Sequence, residues 1–334
     1  MKKAYTYDDV LLVPQYSDIR SRSEVDISGR LGELKLTLPI ISSPMDTVTE
    51  SEMARTMRSE GGVGVIHRYN TIFEQCEMVK KAGVGVGAAV GVTGDFVERA
   101  QALCGNGASF VCVDVAHGHH ILMKEALEKL RDNLPDDFHI MAGNVATLEG
   151  FNDLADWGAN SIKCNIGGGS ICTTRVQTGH GLPGLQTIIE CAKSDRDAKI
   201  IADGGLKNAG DIVKALAAGA DFAMLGSLLA GTDESPGIVF EGTNGVKYKQ
   251  YRGMASKEAQ HDWRGRTASL EGVATTIAYK GPVGEILSLL ENNIRSGFSY
   301  SGARNLTELQ SNAEFVVQTS ASQVESSSHI LLRR

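Results

Sequence analysis

Eight short apolar runs, separated by stretches of helical period, constrain this chain more than any other feature. They read LPIISSPMD (38–46), GGVGVIHR (61–68), VGVGAAVG (84–91), SFVCVDVAHG (109–118), HIMAGNVA (139–146), SIKCNIGGG (161–169), KIIADGG (199–205) and DFAMLGSLLAG (221–231). Each is nearly continuously apolar, as expected of parallel strands buried on both faces. Between them Met123, Leu127 and Leu130 fall at i, i+4, i+7, and Ile212, Ala215 and Leu216 at i, i+3, i+4, which is helical spacing. Gly83, Gly158 and Gly219 stand where helices should end before the next strand. Eight strands alternating with helices predict an α/β (β/α)8 TIM barrel. A doubly wound sheet is the competing reading; no G-x-G-x-x-G follows the first strand, which favours the barrel.

The last third departs from this alternation. GIVFEGTNGVKYKQYRG (237–253) predicts a β-hairpin turning at Asn244-Gly245. The polar stretch 256–272 has little period and is expected to be a loop or flap. VGEILSLLENNIRSG (283–297) predicts a last amphipathic helix, and the tail from Gln318 is expected to be ordered only by a neighbouring chain, if at all. No composition break marks a second domain. Residues 1–334 are therefore expected to be one catalytic barrel with a hairpin-and-flap insertion at 237–280.

Composition narrows the function. A formal charge of −7, with no long basic stripe, argues against a nucleic-acid partner but leaves room for a locally basic phosphate pocket. The N-terminus carries no secretory leader pattern, and no apolar run approaches the ~18 residues of a membrane span. Six scattered cysteines have neither zinc nor disulfide-scaffold spacing, so a reducing cytoplasm is expected. The histidines of HGHH (117–120) give no metal-ligand spacing either and predict a solvated loop.

Barrel enzymes work at the C-terminal ends of their strands. Here those ends carry Asp46, His67, Asp114, Asn144, the stretch Gly167–Cys172, Asp203-Gly204-Gly205 and Gly226-Ser227. Glycines that admit the backbone, with Ser170 and Ser227 as hydroxyl donors, suit a phosphate better than a run of tight turns alone would require. Cys172 follows that cradle at once. A lone loop cysteine is usually inert, but one beside backbone N–H groups gains thiolate character and can attack a carbon held by the bound phosphate ester. Thr174 stands two residues on, where it can relay a proton or order a water.

These residues resemble the family of IMP dehydrogenase and GMP reductase. YDDVLLVPQ, SSPMDTVTE, VDVAHGH, MAGNVAT, IGGGSICTTR, IADGGLKNAGDIVKALAAGADFAMLGSLLAG, YKQYRGMAS and RSGFSYSGARNLTEL carry the resemblance over nearly the whole chain. It implies that Cys172 attacks purine C2 with Thr174 beside it. Ser170, Gly205, Gly226, Ser227 and Tyr251 would hold the 5′-phosphate, and Asp203 the ribose hydroxyls. Ser43, Met45, Met254 and Glu271 would line the base, with Gly253 among the substrate-binding residues. Asp114 and Asn144 would face the nicotinamide. The resemblance further implies a homotetramer and a monovalent cation, K+, on the carbonyls of Gly167 and Cys172 with Glu325, Ser326 and Ser327 of a neighbouring chain. Two positions depart from the family's GIGPGS loop: Gly168 replaces its proline, and Asn165 its first glycine.

Two reactions share this machinery. In one, NADPH reduces GMP to IMP with loss of ammonia; in the other, NAD oxidises IMP to XMP with water. The chain has no room for the paired regulatory domains of many dehydrogenases. Its short flap also lacks their Arg-Tyr pair, since Arg264 and Arg266 have only Trp263 nearby. Both features favour a catalytic reductase carrying Glu271 as a third catalytic residue. SSPMDTVTE, LKNAGDIVKALAAGAD, DESPG and the VESSSH tail read more like the dehydrogenase, and a non-catalytic nucleotide-binding paralogue is a third reading.

Overall fold

The computed structural model describes residues 2–326. Three short strands, β1 (Val10–Leu12), β2 (Gly29–Leu31) and β3 (Leu34–Leu36), precede the barrel. Its strands are β4 (Ile40–Ser42), β5 (Val63–Ile66), β6 (Gly87–Val90), β7 (Phe110–Asp114), β8 (His139–Val145), β9 (Ser161–Cys164), β10 (Lys199–Asp203) and β11 (Phe222–Leu225). Each lies within one of the eight apolar runs. All pair in parallel with their neighbours in sequence, and β11 closes the ring on β4 through Ala223–Ile40, Met224–Ile41 and Leu225–Ser42. The fold is a (β/α)8 TIM barrel.

Two layers of apolar side chains hold it. Inside the ring Ile41, Val63, Val65, Phe110, Met141, Ile201, Phe222 and Met224 form one buried cluster. Leu31 and Leu36 of the β2–β3 hairpin join it. Gly29 sits against the Phe222 ring and Gly32 against His139, both at strand starts, so the hairpin plugs the N-terminal mouth. Gly87 is required here, because a Cβ would stand 2.2 Å from the Phe110 ring. Outside, helices cover the strands. The helix Ile121–Asn133 buries Met123, Ala126, Leu127 and Leu130 on one face, each large side chain contributing about 2 kcal/mol. Gly83, Gly158 and Gly219 do end helices, all with positive φ. With both layers packed at the bottom and sides, the C-terminal ends of the strands are left to the loops.

The C-terminal third is more ordered than its sequence suggested. β12 (Phe240–Glu241) and β13 (Lys247–Arg252) form the expected hairpin, but β14 (Ala274–Ala278) adds a third strand to β13. The flap is not all loop: Ser256 caps a helix, Lys257–Arg264, that buries only Ala259 and Gln260. Its residues are strongly polar, so no apolar run marks it in the sequence. The helix expected at 283–297 runs from Val283 to Tyr300, and it is not the last. After it come Leu306–Asn312, β15 (Phe315–Val317) paired antiparallel with β1, and Ser320–Glu325. The start of the tail is held by its own chain, for Gln318 donates from its backbone N–H to Asp9 O (2.8 Å) and from Nε2 to Asp8 O (2.6 Å). No helix among the described residues is long and apolar enough to cross a membrane.

Candidate active site

Strand register delivers polar residues to one end of the ring. Asp114 and Asp203 close β7 and β10, and Asn144 stands near the end of β8. His67, just after β5, is buried: its Nε2 lies 3.3 Å from Glu50 Oε1, and its Nδ1 accepts from the Tyr69 N–H. It therefore fixes the loop. In the HGHH segment, His119 pairs with Asp153 (2.8 Å) and His120 caps the following helix through Leu122 N.

The cysteine loop follows β9. Asn165 is the one non-glycine residue with positive φ (153°) among the described residues. Its Nδ2 donates to Gly204 O (3.1 Å), and its Oδ1 accepts from Arg175 Nη2 (3.3 Å). The loop is thereby tied to the turn after β10. The Asn165 side chain also fills the space beside Gly168, where a Cβ would meet Nδ2 at 2.1 Å. The two departures from the family loop thus occupy a single volume. Arg175 secures the loop from the other side, donating to Ile166 O (3.1 Å) and Leu182 O (2.6 Å).

Cys172 leads a chain of side chains. Its Sγ donates to Thr174 Oγ1 (3.2 Å), which donates to Glu271 Oε2 (2.7 Å); Ser269 Oγ donates to Glu271 Oε1 (3.1 Å). Backbone bonds set this up. Thr173 N donates to Glu271 O (2.9 Å) and Val273 N to Ile171 O (3.1 Å), stitching the strand returning from the flap to the cysteine loop.

Cys172, Thr174 and Glu271 line a cavity of about 220 Å³, and so do all ten expected nucleotide-binding residues. Ser170, Ser227, Gly205, Gly226 and Tyr251 gather at it. Gly226 is tightly enclosed: a Cβ would lie 3.1 Å from Ser43 Oγ, 3.2 Å from Met45 Sδ and 3.3 Å from Tyr251 Oη, so these three side chains would have to give way. Ser43 Oγ is buried with no hydrogen-bond partner, a donor suited to a ligand oxygen. Burial raises the Tyr251 pKa, so its hydroxyl, 3.5 Å from Ser170 Oγ, stays a proton donor.

A second cavity, of about 290 Å³, adjoins the first and is lined by Asp114, Asn144, Arg68, Tyr69 and Lys163. Cys172, Thr174, Asp203 and Met254 line both, which puts the thiol on the wall between two ligand-sized spaces. Asn144 Nδ2 donates to Asp203 Oδ2 (2.8 Å). Two residues here escaped the sequence reading. Lys163 is hidden inside an apolar strand, though a lysine in such a run is itself a signal. Tyr69 Oη donates to Met254 O (2.9 Å), and its ring stacks on Trp263 of the flap helix, 5.7 Å between centroids.

Of the residues expected to hold a cation, Gly167 and Cys172 have carbonyls that accept no hydrogen bond among the described residues, which suits them to one. Glu325 ends the helix Ser320–Glu325, and Ser326 Oγ donates to Ser322 O (2.9 Å). Ser327 lies outside the described residues.

Comparison with known proteins agrees with this geometry. Residues 4–329 match the family model described as IMP dehydrogenase / GMP reductase domain. An inosine-5′-monophosphate dehydrogenase of Nitrosopumilus maritimus is 34% identical over 473 aligned residues, covering 99% of both chains. A GMP reductase of Leishmania major is 33% identical over 479, covering 98% of this chain and 97% of the relative. Both alignments are far longer than this chain, so both relatives carry inserted residues that it lacks. Their absence therefore does not separate reductase from dehydrogenase. The crystal structure of a GMP reductase variant from Trypanosoma brucei in complex with guanosine 5′-monophosphate superposes with a TM-score of 0.94 at 32% identity, covering 98% of each chain. Barrel, cysteine loop and similarity over almost the whole length agree: this chain belongs to the IMP dehydrogenase / GMP reductase family of oxidoreductases.

Proposed function

We propose that this chain reduces GMP to IMP and ammonia with NADPH, through a covalent adduct between Cys172 and purine C2. One observation carries the proposal: Cys172 and Thr174 stand on the wall shared by two cavities, and their hydrogen-bond chain runs on to Glu271 in the first. In this reading the first cavity takes the nucleotide and the second the dinucleotide. Ser170, Ser227, Tyr251 and the backbone of Gly205 and Gly226 grip the phosphate, Asp203 accepts from the ribose, and Ser43, Met45, Gly253 and Met254 seat the base. Such a grip fixes C2 against the thiol and supplies orientation.

The Cys172 thiol passes its proton through Thr174 to Glu271, and its sulfur bonds to C2 as the C2–N3 π pair moves onto N3. Glu271, through Thr174, moves a proton to the 2-amino group; the C2–N bond breaks and ammonia leaves. Asp114 and Asn144 would hold NADPH, which would supply the hydride that C2 takes up. The C–S bond then breaks, and the electron pair returns to Cys172. K+ would be held by the carbonyls of Gly167 and Cys172 with Glu325, Ser326 and Ser327 of a neighbouring chain in a homotetramer, steadying the cysteine loop. We take residues 1–334 as one catalytic barrel with 237–280 as its insertion.

The similar identity of relatives named inosine-5′-monophosphate dehydrogenase keeps a second reading: oxidation of IMP with NAD and hydrolysis of the adduct. Hydrolysis needs a base for water. Arg68 lies over the Tyr69 ring beside the second cavity, but burial raises the Tyr69 pKa and its hydroxyl is spent on Met254 O. This pair offers a donor, not a base, which favours the reductase. The test is a paired assay of purified protein, GMP with NADPH beside IMP with NAD, followed at the nicotinamide absorbance. NADPH oxidation with GMP is expected. NAD reduction with IMP, and none of the former, overturns the assignment.

A further inference from the structure

Lys163 occupies the inward face of β9 with its side chain 2% exposed. An ammonium cannot lie there uncompensated, since taking an unpaired charge out of water is strongly unfavourable. Its partners come from two other strands. Nζ donates to Asp114 Oδ1 at the end of β7 and lies 3.4 Å from Asp203 Oδ2 at the end of β10. The two carboxylates do not serve the same space. Asp203 lines both cavities, whereas Asp114 lines only the second. Asn144, on the strand between β7 and β9, completes the arrangement by donating to the same Asp203 oxygen.

We infer that Lys163 is a positioning residue shared by both ligand sites, one buried ammonium fixing the carboxylate for the nucleotide ribose and the carboxylate for the dinucleotide. The inference rests on the proposed assignment of the two cavities. Burial opposes the charge of Lys163, and Asp114 and Asp203 more than offset it, so its pKa is raised and it stays an ammonium. Cys112 on β7 also faces it, and Arg68 after β5 lines the same cavity, its Nη2 3.4 Å from Asp114 O. Arg68 therefore bonds the backbone, and Lys163 alone bridges the two carboxylates. Without it they would repel one another at close range, and either turn apart or share a proton. Each outcome removes an acceptor that a ribose hydroxyl needs.

Lys163→Met tests this with binding measurements that need no turnover: calorimetry with GMP, and fluorescence titration with NADPH. Both affinities should fall by about tenfold or more, because one partner of a buried ionic cluster is gone. The charge-balanced Lys163→Met/Asp114→Asn variant should regain most of the GMP affinity while NADPH binding stays weak. It carries the same loss of packing as the single variant, so recovery separates charge placement from packing. Should Lys163→Met not fold by circular dichroism, Lys163→Gln with and without Asp114→Asn gives the same comparison. Wild-type affinity for either ligand in the single variant overturns the inference, as does a double variant no better than the single one, and in both cases the proposed function stands. Wild-type protein that binds neither GMP nor IMP overturns the function and this inference with it.

Discussion

The Thr174 hydroxyl donates a 2.7 Å hydrogen bond to Oε2 of Glu271, ninety-seven residues further along the chain. Thr174 thus links the Cys172 thiol to a carboxyl delivered by the strand that returns from the flap. A carboxyl at the end of such a relay can hand a proton to a leaving amine, help worth roughly 10²–10⁴-fold in rate. Glu271→Gln should lower GMP turnover with NADPH by that order while GMP affinity, measured by calorimetry, changes little. Unchanged turnover would remove Glu271 from the chemistry.

Cys172 sits where two cavities meet, and the phosphate and ribose contacts lie on other residues. Cys172→Ala should therefore keep nucleotide affinity and lose turnover. In the wild type, iodoacetamide should inactivate the enzyme and GMP should protect it. Retained activity in the variant would refute the covalent route.

The eight barrel strands were legible because each is apolar on both faces; Asp114, Asn144 and Asp203 were legible as polar residues at strand ends, and Cys172 by following the glycine-rich cradle. Glu271 was different. Its neighbourhood, TASLEGVA, has no period or motif, and only family resemblance pointed to it; its place is set by the backbone bonds of Thr173 and Val273 across the chain. The helix Lys257–Arg264 escaped notice because it buries little. β14 and β15 did so because neither has a buried face that alternates along the strand, and β15 pairs with β1 at the far end of the chain. Asn165 and Gly168 read as two unrelated departures until the structure placed one side chain against the other's missing Cβ.

His139 gives a prediction about stability and pH. It begins β8, buried against the edge of Phe110 with Nε2 2.9 Å from Ser161 Oγ. Burial, assisted by the charge of Arg131, lowers its pKa from 6.5 to about 4. Between those values the unfolded chain binds a proton that the folded one refuses, so stability falls as pH drops from about 6.5 to 4. A shift of this size corresponds to about 3 kcal/mol. His139→Gln keeps a polar partner for Ser161 and removes the titration, so its urea midpoint should vary less over that window than the wild type's. Parallel curves for the two proteins would show that acid sensitivity arises elsewhere.

The flap is fastened to the barrel mouth at two points. Arg252 donates from Nε and Nη2 to Asp46 Oδ2 (3.0 and 2.7 Å) and from Nη1 to Asp262 Oδ2 (2.6 Å) on the flap helix. One residue on, Trp263 stacks on Tyr69 with their planes 11° apart. Asp262 is largely exposed, so its ion pair contributes at most about 1 kcal/mol. A stacked aromatic pair adds about 0.5–1.5 kcal/mol beyond its buried area, which makes it the stronger fastening. Trp263 also lines a third cavity with Arg68 and Arg264, beyond the one that holds Asp114. Trp263→Ala should thus free the flap and raise the KM for NADPH several-fold, with the KM for GMP and the melting temperature little changed, since no barrel core residue moves. Asp262→Ala should alter none of the three by much. A larger effect of Asp262→Ala than of Trp263→Ala on the NADPH KM would mean that the ion pair, not the stack, is the main fastening of the flap.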